Sequence, residues 1–220
     1  PMRVRVDYVR ITNSSVLANI TLQFDRRDLQ FQAKDGVQRA VVNIYGRITN
    51  LARRPINVFE DTVSVEVPQE FLEEAAKGAS VYGKSIPLAP GMYRLNIVAK
   101  DVTGGNMNNY EMALNVPRYD DETLASSSLI LADLLEQVPT RNIGSGQFVI
   151  GTMKVRPRVG ESFRRDEKMG IYAQFYNFGL DEKTHKPNAA IQYEVIKEGT
   201  NEKVIDFTED VAALEGASAS

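Results

Sequence analysis

Pro90-Gly91-Met92-Tyr93-Arg94-Leu95-Asn96-Ile97-Val98-Ala99, then Thr103-Gly104-Gly105-Asn106, then Tyr110-Glu111-Met112-Ala113-Leu114-Asn115-Val116, is the stretch that decides the fold. A Pro-Gly turn opens a run of alternating character, a Gly-Gly reversal folds it back, and Pro117 ends the return strand because proline has no N–H to give a ladder. The same period of two recurs upstream. Val4, Val6 and Tyr8 alternate with Arg5 and Asp7, and Ile20, Leu22 and Phe24 alternate with Thr21 and Gln23. Ala40–Ile48 and Ile56–Val67 continue the pattern, the latter closed by Pro68. One helix interrupts it: Gln69–Lys77 carries Glu70 early, an apolar stripe of Phe71, Leu72, Ala75 and Ala76, and Gly78 as its stop. Strands at this spacing predict an antiparallel immunoglobulin-like sandwich over residues 1–117, without the Cys…Trp…Cys core.

Arg118–Thr123 is acidic and aperiodic and reads as a linker over 118–123. A second immunoglobulin-like sandwich is expected over 124–220, from Ser128–Ala132, Phe148–Gly151, Met169–Asn177, Ala190–Ile196 and Lys203–Phe207, with the last two joined by a turn at Glu198–Asn201. Ser128–Ala132 also fits a helical stripe, and strand is the preferred reading. Ile44-Tyr45-Gly46-Arg47-Ile48-Thr49-Asn50 is echoed by Ile171-Tyr172-Ala173-Gln174-Phe175-Tyr176-Asn177, which suggests two units of one plan. Nothing after Phe207 matches the hairpin Met92–Val116, so the second sandwich is expected to lack its terminal strands. Residues 208–220 read as a helical turn or a loose tail. The whole is an all-β protein of two sandwich units, with one short connector helix in the first.

Of 220 residues, 26 are Lys or Arg and 29 Asp or Glu, a net charge of −3, which leaves no basic excess for a phosphate backbone. No nucleic-acid partner is expected. The absence of Cys removes disulfides, thiolate metal sites and cysteine nucleophiles. No apolar run approaches the roughly 18 residues that span a bilayer, so no transmembrane segment is expected. Pro1 ahead of Met2 suggests a processed or trimmed segment of a longer precursor.

Each chemically suggestive residue has an ordinary alternative. His185 is the only histidine and sits in a charged loop, without a second His or a Cys to complete a zinc site. Ser126-Ser127-Ser128 and Ser145 lack the nucleophile elbow. Gly104-Gly105 and Gly144-Ser145-Gly146 open no helix and read as reversals, not phosphate cradles. Asp120, Asp121 and Glu122, with Asp101 or Asp133, form a weak Ca²⁺ candidate, because hard cations take several oxygens. Arg3, Arg5, Arg10, Arg26-Arg27 and Arg53-Arg54 read as a basic edge or as charges that keep strands from pairing with other molecules. Asn13-Ser14-Ser15 and Asn19-Ile20-Thr21 match glycosylation sequons.

Several stretches together resemble a known family: Asp7-Tyr8-Val9-Arg10, Asp28-Leu29-Gln30-Phe31, Phe59-Glu60-Asp61, Val81-Tyr82-Gly83-Lys84, Pro90–Leu95, Lys100-Asp101-Val102, Ser127–Asp133, Gly146–Gly151 and Lys154–Pro157. They are similar to the β-rich region downstream of the GWxTD domain in exported proteins of Acidobacteria and related bacteria. The Gly-Trp-x-Thr-Asp motif itself is absent, as is the second Pro-Gly-x-Tyr-x-Leu hairpin of that family. The resemblance implies a secreted or cell-envelope location, no established reaction and no functional residue. From the residues, the expectation is a non-enzymatic structural module of protein contact, without cofactor or catalytic group, whose partners include copies of itself. The incomplete second unit would accept a strand, and Arg3–Ile11 (Arg3, Val4, Val6, Tyr8, Val9 and Ile11) would donate one, building filaments. The competing expectation is a peptide- or glycan-binding module using the loops Asp101–Asn109 or Asp181–Asn188, bordered by Tyr110 and Phe178.

Overall fold

The structure, a computed structural model, describes residues 2–213. The chain is all-β and antiparallel, as the alternation predicts. A first sheet has the order β1 (Met2–Thr12), β2 (Ser15–Asp25), β6 (Ala79–Leu88). A second holds β3 (Gln32–Lys34), β4 (Val37–Asn50), β7 (Gly91–Asp101) and β8 (Met107–Val116) in that order, with β5 (Pro55–Pro68) also paired to β4. The helix is a 3₁₀ turn over Gln69–Phe71 running into α1 (Leu72–Ala76).

These two sheets form the predicted sandwich. Val16, Ala18, Ile20, Leu22 and Phe24 of β2 are buried on one side, as are Val42, Ile44 and Ile48 of β4 and Leu95 and Ile97 of β7. Each such side chain contributes roughly 1.5–3 kcal/mol by leaving water. The Pro-Gly corner before β7 is fixed by Tyr93, whose hydroxyl donates to the Ala89 carbonyl at 3.0 Å, the tyrosine-corner device of immunoglobulin-like sandwiches.

The first sheet is also covered on its other side. In β2 the alternation fails: Asn19 and Thr21, between core residues, are buried too. Their cover is a third sheet, β11 (Val149–Ile150), β12 (Met153–Pro157), β10 (Ile130–Gln137), β13 (Gly170–Tyr172), in that order. Val9 packs in one cluster with Ile130, Ala132, Ile150 and Val155. Ser128 sits on the outer edge of β1, its Oγ accepting the Tyr8 N–H at 2.8 Å and its N–H donating to the Tyr8 carbonyl at 2.9 Å.

Compactness therefore divides the chain elsewhere than at the expected linker. The first unit comprises the residues up to Tyr119 together with Ser127–Gln174; the second comprises Asp120–Ser126 and the residues from Phe175 on. The difference from boundaries at 117 and 124 has a physical cause: Ser127–Gln174 spends its apolar residues on the first sandwich. The echo is divided too. Ile44–Asn50 lies in one unbroken strand, whereas Ile171–Asn177 is split between β13 and β14 (Phe175–Tyr176), which fall in different units. The second unit contains two small sheets, β14 with β9 (Ala125–Ser126), and β15 (Ala190–Ile196) with β16 (Lys203–Asp210). Of the expected tail over 208–220, the first three residues are strand, the end of β16, and Val211–Ala213 is a 3₁₀ turn; 214–220 lie outside the described residues.

Candidate contact sites

The stretch expected to donate a strand is engaged within its own sandwich. Residues Met2–Arg10 pair in register with Phe24–Val16. Val4, Val6 and Tyr8 lie opposite Leu22, Ile20 and Ala18 and share their core-facing side. Val9 is buried against the third sheet, so of the six residues only Arg3 and Ile11 are exposed. Donation from this stretch would break a ladder already formed, and the expectation is corrected accordingly. Arg5, expected on a basic edge, is largely covered as well. Its guanidinium clamps Asp7 at 2.8 to 3.1 Å, reaches the Leu129 carbonyl at 2.9 Å and pairs with Glu161. Burial pushes the Asp7 carboxyl up, and Arg5 opposes that.

The Ca²⁺ candidates Asp101, Asp120 and Asp133 lie in separate elements, each already bonded by protein donors. Asp101, only 4% exposed, accepts the N–H groups of Gln30 at 2.8 Å and Thr103 at 3.1 Å. Asp120 accepts those of Glu122 at 2.9 Å and Thr123 at 2.6 Å. Asp133 is held by Arg156 at 2.6 Å. Among the described residues no group of three His, Cys, Asp or Glu is placed to hold a metal, which corrects that candidate. His185 is exposed in a turn closed by Asp181, whose carboxylate takes the Lys183 and Thr184 N–H groups. Of the sequons, Asn13 is exposed at the β1–β2 turn, while Asn19 is buried with its Oδ1 accepting from Ser85 Oγ at 2.6 Å.

A second polar cluster ties the sandwich sheets together. The Tyr82 hydroxyl donates to Asp61 at 2.5 Å, and Lys84 Nζ reaches the same oxygen at 2.9 Å while lying 5.6 Å from the centre of the Phe59 ring. Hydrogen bonds from Tyr82 and Lys84 hold the Asp61 carboxyl below its ordinary range. Every group here has a protein partner, and the cluster clasps β5 to β6.

Two features have unfilled capacity. At one end of the first sandwich a cavity of about 390 Å³ has buried Met2, Phe24, Val42 and Ala99 at its floor. Asp28, Asp101, Asn106 and Asn108 also line it, and no Lys, Arg or His does. Part of its wall is the loop Asp101–Asn109, but its apolar part comes from distant strand ends, which loop composition does not reveal.

The other feature is the β15–β16 hairpin. Its register puts Ile191, Tyr193, Val195, Ile205 and Phe207 on one face with Glu209 at its end, and Gln192, Glu194, Lys203, Asp206 and Thr208 on the other with Ile196. Lys203 bonds Asp206 at 2.9 Å and pairs with Glu194 on the polar face. Tyr193 and Phe207 stack at 4.6 Å between ring centres on the apolar face. That apolar face is open: Val195 is 41%, Ile205 46% and Phe207 48% exposed. No third strand joins this sheet among the described residues.

No family model and no curated protein matches the chain. Solved structures resemble part of it. A glycosyl hydrolase family 2 member from Bacteroides cellulosilyticus is 12% identical with a TM-score of 0.37, the likeness covering 60% of this chain and 16% of that one. For a Bacteroides uniformis beta-glucuronidase the figures are 9% identity, TM-score 0.35, and 55% and 14% coverage. A Northeast Structural Genomics Consortium target has 11% identity, TM-score 0.34, and 53% and 86% coverage. The chain spans about a sixth of the length of the glycosyl hydrolase it resembles. That this protein is a β-sandwich module rests on its own antiparallel sheets and the apolar core between them.

Proposed function

We propose that the protein is a non-enzymatic module of protein contact, exported or held in the cell envelope, whose second unit binds by accepting a strand or sheet from another protein chain. The observation that carries this is the β15–β16 hairpin. A lone two-stranded sheet is marginal in water, and three strands or a packed face are needed for independent stability. Here one face is tied by Lys203, Glu194 and Asp206, while the other offers Val195, Ile205 and Phe207 to solvent beside a stacked Tyr193. Contiguous exposed apolar surface of this kind marks protein contact, and open strand edges supply the backbone groups for strand addition. Location outside the cytoplasm rests on the resemblance to the β-rich region of exported GWxTD proteins.

The test is sedimentation velocity over a range of protein concentrations. The wild-type chain is expected to associate reversibly, and Phe207→Asp, which puts a charge in the middle of the apolar face, is expected to weaken that association at least tenfold. A chain that stays monomeric at every concentration, or a Phe207→Asp variant that associates as strongly as wild type, would overturn the reading.

A further inference from the structure

The cavity at the Asp101 end of the first sandwich fits a particular shape of guest. Its lining is partly apolar, and its most buried polar group is the Asp101 carboxylate, each oxygen of which accepts one backbone N–H, from Gln30 or Thr103, and keeps a lone pair for a further donor. Among the described residues no basic side chain pairs with Asp101. A buried carboxylate in that position attracts a cation, and guanidinium matches it best because its planar fork offers two donors to two oxygens. The aliphatic stem of an arginine, or a neighbouring leucine, suits the floor.

The chain presents such a guest at the opposite end of the same sandwich. The turn after β4 is Leu51-Ala52-Arg53-Arg54; Leu51 is 71% exposed and both arginines are exposed. Neither arginine has an acidic partner among the described residues. The turn is stiff: Asn50 donates its N–H to the Arg54 carbonyl at 3.0 Å, Arg53 donates to the Asn50 carbonyl at 2.9 Å, and the Arg54 N–H reaches Asn50 Oδ1 at 3.0 Å. A turn already fixed in shape loses little freedom on docking. Val42 lines the cavity, and Asn50 stands eight residues further along the same strand. At about 3.3 Å per residue the turn lies some 26 Å away and cannot fill its own cavity.

We infer that the Leu51–Arg54 turn of one copy inserts into the Asp101 cavity of the next. The occupant is a second copy of this chain. Because the two surfaces differ, the contact is head to tail, so copies join in strings or rings larger than a dimer. This goes beyond the hairpin reading and uses no residue of the second unit.

The experiment uses the full chain carrying Phe207→Asp, so that association through the hairpin is removed. In that background Arg53→Glu/Arg54→Glu spoils the turn and keeps the cavity, and Asn106→Arg puts a positive charge on the cavity rim and keeps the turn. Sedimentation velocity should show the parent forming species larger than a dimer as concentration rises, and each variant alone as a monomer. An equimolar mixture of the two variants should stop at twice the monomer mass, because one working turn meets one working cavity. Raising salt to about 0.5 M should weaken the parent's association, since exposed charges are screened. Far-ultraviolet circular dichroism checks that each variant is folded. A parent that is monomeric throughout, variants that associate like the parent, or a mixture that fails to pair would each overturn the inference. If the wild-type chain associates while the Phe207→Asp parent does not, the head-to-tail contact fails and the hairpin reading stands.

Discussion

Arg5 makes its bonds where the first sheet is covered by the third, and its consequences are those of a buried charge. Asp7, 2% exposed, depends on it. Replacing Arg5 by Met leaves that carboxylate without a counter-ion, which typically costs about 3–5 kcal/mol. Glu161, 57% exposed at the outer side of the same guanidinium, is held mostly by solvent-screened attraction, so Glu161→Gln should cost less than about 1 kcal/mol. Urea unfolding of both variants checks the contrast; equal losses would mean that water reaches the Arg5–Asp7 pair. In the sequence these residues alternate with Val4, Val6 and Tyr8 and read as a solvent face. Alternation separates the two sides of a strand, but it cannot tell water from a second protein layer whose polar groups are satisfied. That is why the third layer was not legible from β1, nor from β2, where Asn19 and Thr21 are polar whether they face water or a second layer.

Among elements, β6 shows how closely the layers meet. A Cβ placed on Gly83 would stand 2.5 Å from the Phe148 ring, and the Gly83 N–H donates to the Gln147 side chain at 3.3 Å. Phe148 itself adopts φ 66°, a left-handed conformation that costs energy for a residue with a side chain. Gly83→Val should therefore force Phe148 off the strand and destabilise the protein by about 1–3 kcal/mol. In a Phe148→Ala background the same substitution should cost markedly less, because the clash is gone, and thermal melts of the four-member cycle measure that coupling. Additive effects would show that the ring does not occupy this position. Strands, the connector helix and the Pro-Gly corner were readable because each rests on local chemistry. The partner of β10 was not: Ile130 and Ala132 have the same period whether they start a new sandwich or finish an old one.

For the whole molecule, burial is uneven, and this bears on how the second unit persists. Of the buried apolar side chains among the described residues, Tyr176 and Val211 belong to the second unit and the others to the first. Regions with few buried contacts open at small free-energy cost, so their amides exchange quickly. That β15 and β16 carry few buried side chains is a tertiary matter, which their alternation alone does not show. Amide hydrogen exchange reads both consequences at once. In dilute solution β2, β4 and β7 should be strongly protected while Ala190–Ile196 and Lys203–Asp210 exchange orders of magnitude faster. If another copy covers the hairpin, protection of these two strands should rise with protein concentration, while that of β2 stays constant because it is already set by global unfolding. Protection independent of concentration in β15 and β16 would mean that the apolar face stays bare, and would count against the hairpin as the contact through which copies associate.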